Sequence, residues 1–473
     1  MLPAVSGIVV GRRTAQVAAL DAGLIVGALV LSLLAVRYSS DHQVLTELFR
    51  DWTGATLIAL TVHLGAFYVF ELYNLRLDFR RGTNILRCAG AVATASLLVA
   101  VSSFVAPHWS FGRLLFAVHA VLLAALTAGV RILFSRAMRS AQPPDKALLV
   151  TPITVPEALL DEMARSPDAR FHLVGTIAVN RAPLHGPKSS LRGSTPPPVG
   201  SVADCAGVLR ERRLHHLVVA GIDALLPDDA HELLRLKGEG VEVHDLVDVF
   251  QTLTGRLPLE MLGDRYFLRV PAFTRDTRPW LSNLLRVLDV AAALVLLVLS
   301  SPLWVFAAVG IKLTMPGPVF YAQERVGKGE VPYVLTKFRS MRTDAERDGP
   351  QWSKGSGDPR VTPFGRFLRR SRIDELPQLW SVLRGEMSLV GPRPERPVFV
   401  AELKREIPYY ALRFQVKPGL TGWAQVNYRY GASVDETRIK LSYDLFWVQE
   451  RSVALWLVTL LKTIQTVLFK PGS

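Results

Sequence analysis

The sequence predicts a membrane protein of mixed α and α/β class: a four-helix transmembrane unit, a Rossmann-like α/β middle domain, and a C-terminal domain with its own membrane helix. Three observations predict it. Four apolar stretches crowd the first 140 residues. Short apolar runs then alternate with helical patterns from 145 to 266, the signature of βαβ units and a parallel sheet. A fifth long apolar stretch, interrupted by Ser300, Ser301 and Pro302, precedes an Arg-rich segment. A chain of 473 residues is too long for one ordinary domain, and two or three are expected.

The four N-terminal stretches run approximately Ala15–Val36, Trp52–Tyr73, Ile85–Ala106 and Leu114–Phe134. Each is about long enough to span a bilayer, which takes roughly 17–25 residues. The first is one of four and lacks a small-residue cleavage pattern, so it does not read as a signal peptide. Arg12 and Arg13 precede the first span, Arg76, Arg80, Arg81 and Arg87 lie at or beside the second connection, and Arg131, Arg136, Arg139 and Lys146 follow the fourth. The loops Tyr38–Asp51 and Pro107–Arg113 are poorer in cations, so the positive-inside rule puts both ends of the unit, and all that follows, in the cytoplasm. Ionisable residues inside these spans are few and read as unpaired, His63 and Glu71 chief among them, which disfavours a transporter. Cys88 and Cys205 suggest no disulfide framework. A net charge of +14 suits nucleic acid, anionic lipid or phosphorylated substrates alike; the hydrophobic stretches decide for the membrane, with no nucleic-acid partner.

In the middle domain, 145–266, the strand-like runs are ALLV at 147–150, HLVGTIAV at 172–179, HHLVVAG at 215–221 and VEVHDL at 241–246, and residues 185–200 form a Gly/Pro/Ser-rich loop. A dinucleotide site needs a Gly-rich turn after the first strand so that backbone amides reach a pyrophosphate. This chain has TPITVP there, so the domain reads as structural or regulatory.

The fifth stretch, Leu284–Leu313, is long enough to span, but Pro302 removes a helical hydrogen bond and predicts a kink. A kinked crossing and a re-entrant helix both satisfy it. Arg286 and Asp289 lie on one face at its start.

The most informative segment is RRSRIDELPQLWSVLRGEMSLVGPRPE, from Arg369. Asp374 and Glu375 follow Arg366, Arg369, Arg370 and Arg372, and a Pro-rich turn adds Arg393 and Arg396. Carboxylates among so many cations suit phosphate chemistry, as nucleophile, base or metal ligand; a solvated charged face is the ordinary alternative. Lys337, Arg339 and Arg342, in KFRSMR, follow a strand-like run and could meet a phosphate together or be plain surface cations. Asp358 and Arg360 sit in GSGDPR, a nucleotide-approach loop or a plain turn. Trp423 reads as packing.

Taken together, these blocks resemble the large polyprenyl-phosphate phosphoglycosyl transferases, bacterial enzymes that begin exopolysaccharide and surface-glycan assembly. The resemblance covers the whole architecture and is most specific from Arg286 to Thr463: Ser301-Pro302, PGPVFYAQERVG, KFRSMRTDAE, DPRVTPFGRFLRRSRIDELPQL, RGEMSLVGPRPERP, KPGLTGWAQVNYRYGAS and YDL at 443–445. It implies domains at 1–140, 145–266 and 280–473, the last a monotopic catalytic domain with a re-entrant helix at about 284–313 in which Arg286, Asp289, Ser301 and Pro302 are structural. It implies transfer of a sugar-1-phosphate, hexose first and glucose or galactose foremost, from a UDP-sugar to undecaprenyl phosphate with release of UMP. Asp374 would carry a covalent phosphosugar with Glu375 as partner. Mg²⁺ would be held by Asp374, Glu375 and Asp444, the last of these, in the YDL block, being equally open to positioning arginines or to a structural salt bridge. Lys337, Arg339, Arg342, Asp358, Arg360, Arg366, Arg372 and Arg393 would bind substrate. The setting would be the cytoplasmic face of the bacterial inner membrane, against the lipid bilayer, as a homodimer. The chain departs from the family pattern at Ser381, Glu386, Phe414 and Trp456, where Asn, Asp, His and Asp are usual. A catalytically degenerate scaffold and a glycosyltransferase that releases UDP are the competing readings.

Overall fold

The computed structural model describes residues 12–37, 53–70, 72–73, 82–105, 113–137, 145–153, 155–165, 171–179, 198–273, 278–347, 349, 358–428 and 433–469. It divides into two units, one over Val10–Asp145 and one over Lys146–Ser166 and Phe171–Ser473.

Among the described residues the first unit holds the helices Arg12–Arg37, Thr53–Val69, Gly82–Val105 and Arg113–Ala137. Ile25, Ala28, Phe67, Cys88, Ala91, Val92 and Leu123 form its core, the alanines letting helices approach closely. Asp21 and Arg131, 110 positions apart, are both buried and paired at 2.6 Å. This corrects the reading of unpaired ionisable groups: two residues on different spans find each other only in the folded bundle. His63 is buried against His119, ring centroids 5.6 Å apart. Glu71, the loop cations Arg76, Arg80, Arg81 and Arg139, and both interhelical loops compared for charge lie outside the described residues. The described apolar segments of these helices are Gln16–Ser32, Thr56–Val69, Ile85–Ala100 and Ala117–Leu133.

The second unit opens with strands β1 (Asp145–Thr151), β2 (Phe171–Ala178), β3 (Pro198–Ser201), β4 (His216–Val219) and β5 (Glu242–Asp245), in the order β3-β2-β1-β4-β5. β1–β4, β4–β5 and β2–β3 pair in parallel, the arrangement of a doubly wound sheet. Both faces are covered. Leu148, Val150, Leu217 and Val219 pack under helices Cys205–Glu211 and Pro227–Gly238, and Ala147, Leu149 and Val218 under Glu157–Arg165 and Leu246–Thr254. Of the Gly/Pro/Ser-rich loop, only residues from Pro198 onward are described. Asp245 caps the helix Leu246–Thr254 by accepting from the Val247 amide at 2.8 Å. That helix ends at Gly255, whose carbonyl accepts from the Trp423 indole at 2.7 Å. The sheet is thereby joined to the C-terminal region.

Among the described residues, one helix is long and apolar enough to cross a membrane: Pro279–Thr314. It runs through Pro302 as one hydrogen-bonded element. Pro302 cannot donate to the Val298 carbonyl four residues back; the Ser301 hydroxyl donates to it instead, at 2.8 Å. The serine thus satisfies the carbonyl that the proline leaves without its helical partner. Both ends of the helix pack on the same C-terminal region. At its start, Arg286 donates to the Val382 and Leu383 carbonyls that close helix Gln378–Arg384. Asp289 accepts from Ser388 Oγ, the Leu389 amide and Trp456 Nε1 at 2.6–3.1 Å. At its end, Ala307, Ile311 and Met315 share a core with Phe338, Leu368 and Ile373. Between these anchors Leu294, Val295, Val298, Leu299, Val305 and Val309 stay exposed.

The rest surrounds these anchors. An antiparallel hairpin joins β6 (Phe320–Val326) to β7 (Pro332–Phe338), and β8 (Ser388–Val390) pairs in parallel with β9 (Gly419–Thr421). Trp423 is buried and stacks on Phe446. The last helix, Val453–Phe469, docks through Trp456 and through Thr463, whose hydroxyl shares a hydrogen bond with Thr421.

Gly365, in the helix Pro363–Arg370, lies against the Ser340 backbone so closely that a Cβ would fall 1.9 Å from its carbonyl oxygen. Gly365→Ala must push the helix off that strand end. A loss of about 1–3 kcal/mol or more is expected, measured as a lowered thermal midpoint of the detergent-solubilised protein.

Candidate active site

The helix Pro363–Arg370 starts on Thr362, whose hydroxyl accepts from the Gly365 amide at 3.0 Å, with Pro363 pre-set for the first turn. It stops at Ser371, and Arg372 reverses the chain with φ of 60°. A non-glycine residue in the left-handed region costs of order 1 kcal/mol or more and persists only where its surroundings enforce it. Here the enforcing contacts are apolar. Ile373 packs into the core at the end of the long helix, and Leu376 bridges that core and the larger one behind it. Asp374 and Glu375 lie between these two anchors, on the single 3-10 turn Ile373–Glu375.

The two carboxylates meet different electrostatics. Lys337, near the end of β7, donates to Glu375 at 3.0 Å; Arg393 reaches the same oxygen at 3.5 Å, and Arg372 approaches the other at 3.9 Å. Burial pushes the Glu375 pKa up, but the charges of Lys337, Arg393 and Arg372 outweigh it and hold the carboxyl well below the usual range. Asp374 is only 5% exposed, and among the described residues no donor hydrogen-bonds to it. Burial, and then the adjacent Glu375 charge, raise it to about 6 against the pull of Lys337, Arg369 and Arg372. Burial also lowers the Lys337 pKa, with Glu375 opposing. One carboxylate is thus a fixed counter-charge, and its neighbour titrates near neutrality, a division of roles typical of reactive sites.

The cations singled out in the sequence fall into two groups. Lys337, Arg372 and Arg393 converge on the Asp-Glu turn, with Arg369 contributing charge while its Nε donates to Ser340 Oγ. Arg366 is exposed on the preceding helix. The others are engaged elsewhere. Arg339 is buried and donates to the Met315 and Pro316 carbonyls, closing the end of the long helix. Arg342 pairs with Asp344, and Arg360 clasps the fully buried Asp358, its guanidinium donating at 2.9 and 2.6 Å and its backbone amide at 3.1 Å. The cations of KFRSMR therefore do not gather at one point.

Asp444 is buried in a pair with Arg413, which donates to it at 2.8 and 3.1 Å. The same guanidinium donates to the Tyr410 hydroxyl and to the Arg393 carbonyl at 2.8 and 2.9 Å. Asp444 thus acts through Arg413 to hold the turn that presents Arg393. Sequence reading missed Arg413, because 31 residues separate it from Asp444 and no local spacing links them. It also missed Arg325, which donates to the Pro394 carbonyl, and Glu346, which takes both guanidinium nitrogens of Arg396. Gly391 opens this turn because a Cβ there would lie 2.4 Å from the Lys417 carbonyl. Of the departures from the family pattern, Ser381 and Phe414 are buried, Glu386 pairs with Arg384, and Trp456 donates to Asp289.

The bacterial sugar transferase profile matches residues 280–470, the region that builds this site. Over 186 residues (39% of this chain, 69% of the relative) the chain is 44% identical to the UDP-glucose:undecaprenyl-phosphate glucose-1-phosphate transferase of Caulobacter vibrioides. The chain belongs to the polyprenyl-phosphate phosphoglycosyl transferases. Another member of this transferase family, the UDP-N-acetylgalactosamine-undecaprenyl-phosphate N-acetylgalactosaminephosphotransferase of Aeromonas hydrophila, is 42% identical over 234 residues, 49% of this chain and 54% of the relative. A third, the UDP-glucose:undecaprenyl-phosphate glucose-1-phosphate transferase of Escherichia coli, is 41% identical over 170 residues, 36% of each chain. The matches thus span between about a third and two thirds of these relatives.

Magnesium takes few protein ligands, commonly one or two carboxylates, and completes its shell with water and substrate phosphate. The adjacent Asp374 and Glu375 of this phosphoglycosyl transferase fit that demand, whereas Asp444 is committed to Arg413. Arg413→Met would strand the Asp444 charge in the interior, and a loss of about 3–5 kcal/mol is expected. Asp444→Asn keeps an acceptor for Arg413 and should cost less. In that variant the Mg²⁺ concentration for half-maximal activity should stay at the wild-type value, whereas a metal-ligand role for Asp444 would raise it.

Proposed function

We propose that the protein transfers a sugar-1-phosphate from a UDP-sugar to undecaprenyl phosphate and releases UMP, through a phosphosugar carried on Asp374. The observation that carries this reading is the Asp374 carboxylate: buried, without a hydrogen-bond donor among the described residues, and beside a Glu375 already neutralised by cations. A carboxylate is a weak nucleophile, and one stripped of hydrogen bonds and held against neutralising charge is the form best suited to attack.

In the first step an Asp374 oxygen attacks the phosphorus that bears the sugar. The bond from that phosphorus to the oxygen bridging the two phosphates breaks, and UMP leaves with the electron pair. In the second step the undecaprenyl phosphate oxygen attacks the same phosphorus and Asp374 is released as carboxylate. Lys337, Arg372 and Arg393 are placed to offset the diphosphate charge, and Arg366 and Arg369 add to the field. A Mg²⁺ held by Asp374 and Glu375 would supply further charge neutralisation at the phosphates. Separate steps let a water-soluble donor depart before a lipid-bound acceptor arrives.

The lipid acceptor demands a site at the membrane surface. A re-entrant course for the helix Pro279–Thr314 meets that demand: both its ends pack on one domain while its middle exposes apolar side chains. A helix crossing fully would set residues 289 and 311, about 33 Å apart if straight, on opposite sides of a hydrocarbon core of about 30 Å. This reading places the catalytic domain on the cytoplasmic face of a bacterial inner membrane, where nucleotide sugars are made. The relatives act on glucose and on N-acetylgalactosamine by name, so the donor panel extends beyond glucose and galactose.

The test is incubation of purified protein with Mg²⁺, undecaprenyl phosphate and a panel of UDP-sugars. UMP from one donor, absent with Asp374→Asn, is the expected result. Release of UDP would mean ordinary glycosyl transfer, and an Asp374→Asn variant that complements a deletion would mean a scaffold.

The first half-reaction also has an expected pH profile. Asp374 must be ionised to attack, so UMP release without lipid should rise with pH through about 6 and fall away below it. Omitting the lipid removes the titration of its phosphate. Because the Glu375 charge raises the Asp374 pKa, Glu375→Gln should move that acid limb to lower pH. An unmoved limb would assign it to another group.

A further inference from the structure

We propose that the middle domain carries a site for a zinc-class divalent cation, formed by His216, Glu242 and His244. His216 and Glu242 are direct neighbours in the parallel register of β4 and β5, and His244 lies two residues along β5, on the same face as Glu242. Nδ1 of His216 and Nε2 of His244 each lie 3.4 Å from the same Glu242 oxygen, Oε2. All three ligand atoms fall within 4.8 Å of one another.

These separations have the size a metal imposes. Nitrogen and oxygen ligands held at about 2.0–2.1 Å in a tetrahedron stand about 3.3–3.4 Å apart. Two imidazoles and one carboxylate select zinc, cobalt or nickel over magnesium or calcium, which prefer all-oxygen shells. The rings are also fixed in place. Phe171 packs on both, with centroids 4.7 Å from His244 and 5.4 Å from His216. Both imidazoles are largely covered, while Glu242 is 57% exposed and leaves a path for the ion. Three protein ligands leave the fourth position to water.

The site lies where β4 and β5 begin, opposite the carboxyl ends of the strands, where doubly wound sheets bind nucleotides. Its action is mechanical. β5 is the edge strand, paired on one side, and a cation bound across β4 and β5 pins it. β5 runs through the Asp245 cap into the helix whose end at Gly255 receives Trp423. The cation thereby stabilises the strand that leads to the contact between the sheet and the C-terminal region.

The test uses the full-length protein without an affinity tag, stripped with chelator and titrated with Co²⁺, followed by visible absorption and thermal unfolding. Saturable binding of one equivalent is expected, with the intense d–d bands of a low-coordinate site, displacement by Zn²⁺ and a raised thermal midpoint. His216→Ala and His244→Ala should each lose that binding while unfolding, without metal, at the wild-type temperature. Glu242→Gln, the mildest change, should weaken it should either alanine variant fail to fold. Asp374→Asn should bind as wild type, which separates this site from any cation at the Asp-Glu turn. No saturable binding, or equal binding in Glu242→Gln and the folded histidine variants, would overturn the proposal.

Discussion

Both ends of a long apolar helix are fastened to one small domain, and the placement of the Asp-Glu turn follows from that constraint. Arg286 and Asp289 tie the helix start to the segment after the turn, from Val382 to Leu389. Arg339 closes its other end, and Ile311 and Met315 pack against Ile373, the residue before Asp374. The same side chains that hold the helix therefore set the turn. A carboxylate on a loop could drift by an ångström or more; here it lies between two apolar anchors, and its preceding residue is held in a left-handed conformation. Geometry of this kind is what in-line attack on phosphorus requires.

Charge placement then separates the two carboxylates. Had both stood among equal numbers of cations, both would be ordinary anions at neutral pH and neither would differ in reactivity. Three cations instead approach Glu375 directly, and the charge retained there adds to burial in raising the Asp374 pKa. Arg393 depends in turn on a buried chain, Asp444 to Arg413 to the Arg393 carbonyl. A buried ion pair is costly in itself, and its value here lies in fixing a turn rather than in net stability.

Much of this was legible in sequence because it is local. The parallel sheet follows from short apolar runs separated by helical patterns, and the adjacency of Asp374 and Glu375 needs no structure. What the sequence hid is long-range. Asp21 carries no mark in the sequence and Arg131 reads as a flanking cation after the fourth apolar stretch, yet the helices bring the two together at 2.6 Å. The run Lys337, Arg339, Arg342 reads either as one phosphate-facing group or as plain surface cations, yet Lys337 serves Glu375, Arg339 the helix end and Arg342 the surface. Strand periodicity says which residues share a face, and it is silent on which carbonyl or carboxylate stands opposite. Pro302 is a third case: it reads as a break, and Ser301 repairs the hydrogen bond it removes.

The histidine cluster extends the same lesson. His216 and His244 stand 28 positions apart in sequence with ordinary spacing, so no metal motif marks them. Parallel pairing of β4 with β5 brings them to one carboxylate oxygen, and pairing is a property of the sheet. An edge strand has half the backbone hydrogen bonds of a central one, so whatever ties β5 down also steadies the helix it feeds. That helix ends on the backbone carbonyl that Trp423 requires, and Trp423 sits in the core behind the β8–β9 pair and the GPRPERP turn. A cation at the sheet can thus influence the C-terminal domain only by stiffening this path, without touching the phosphates.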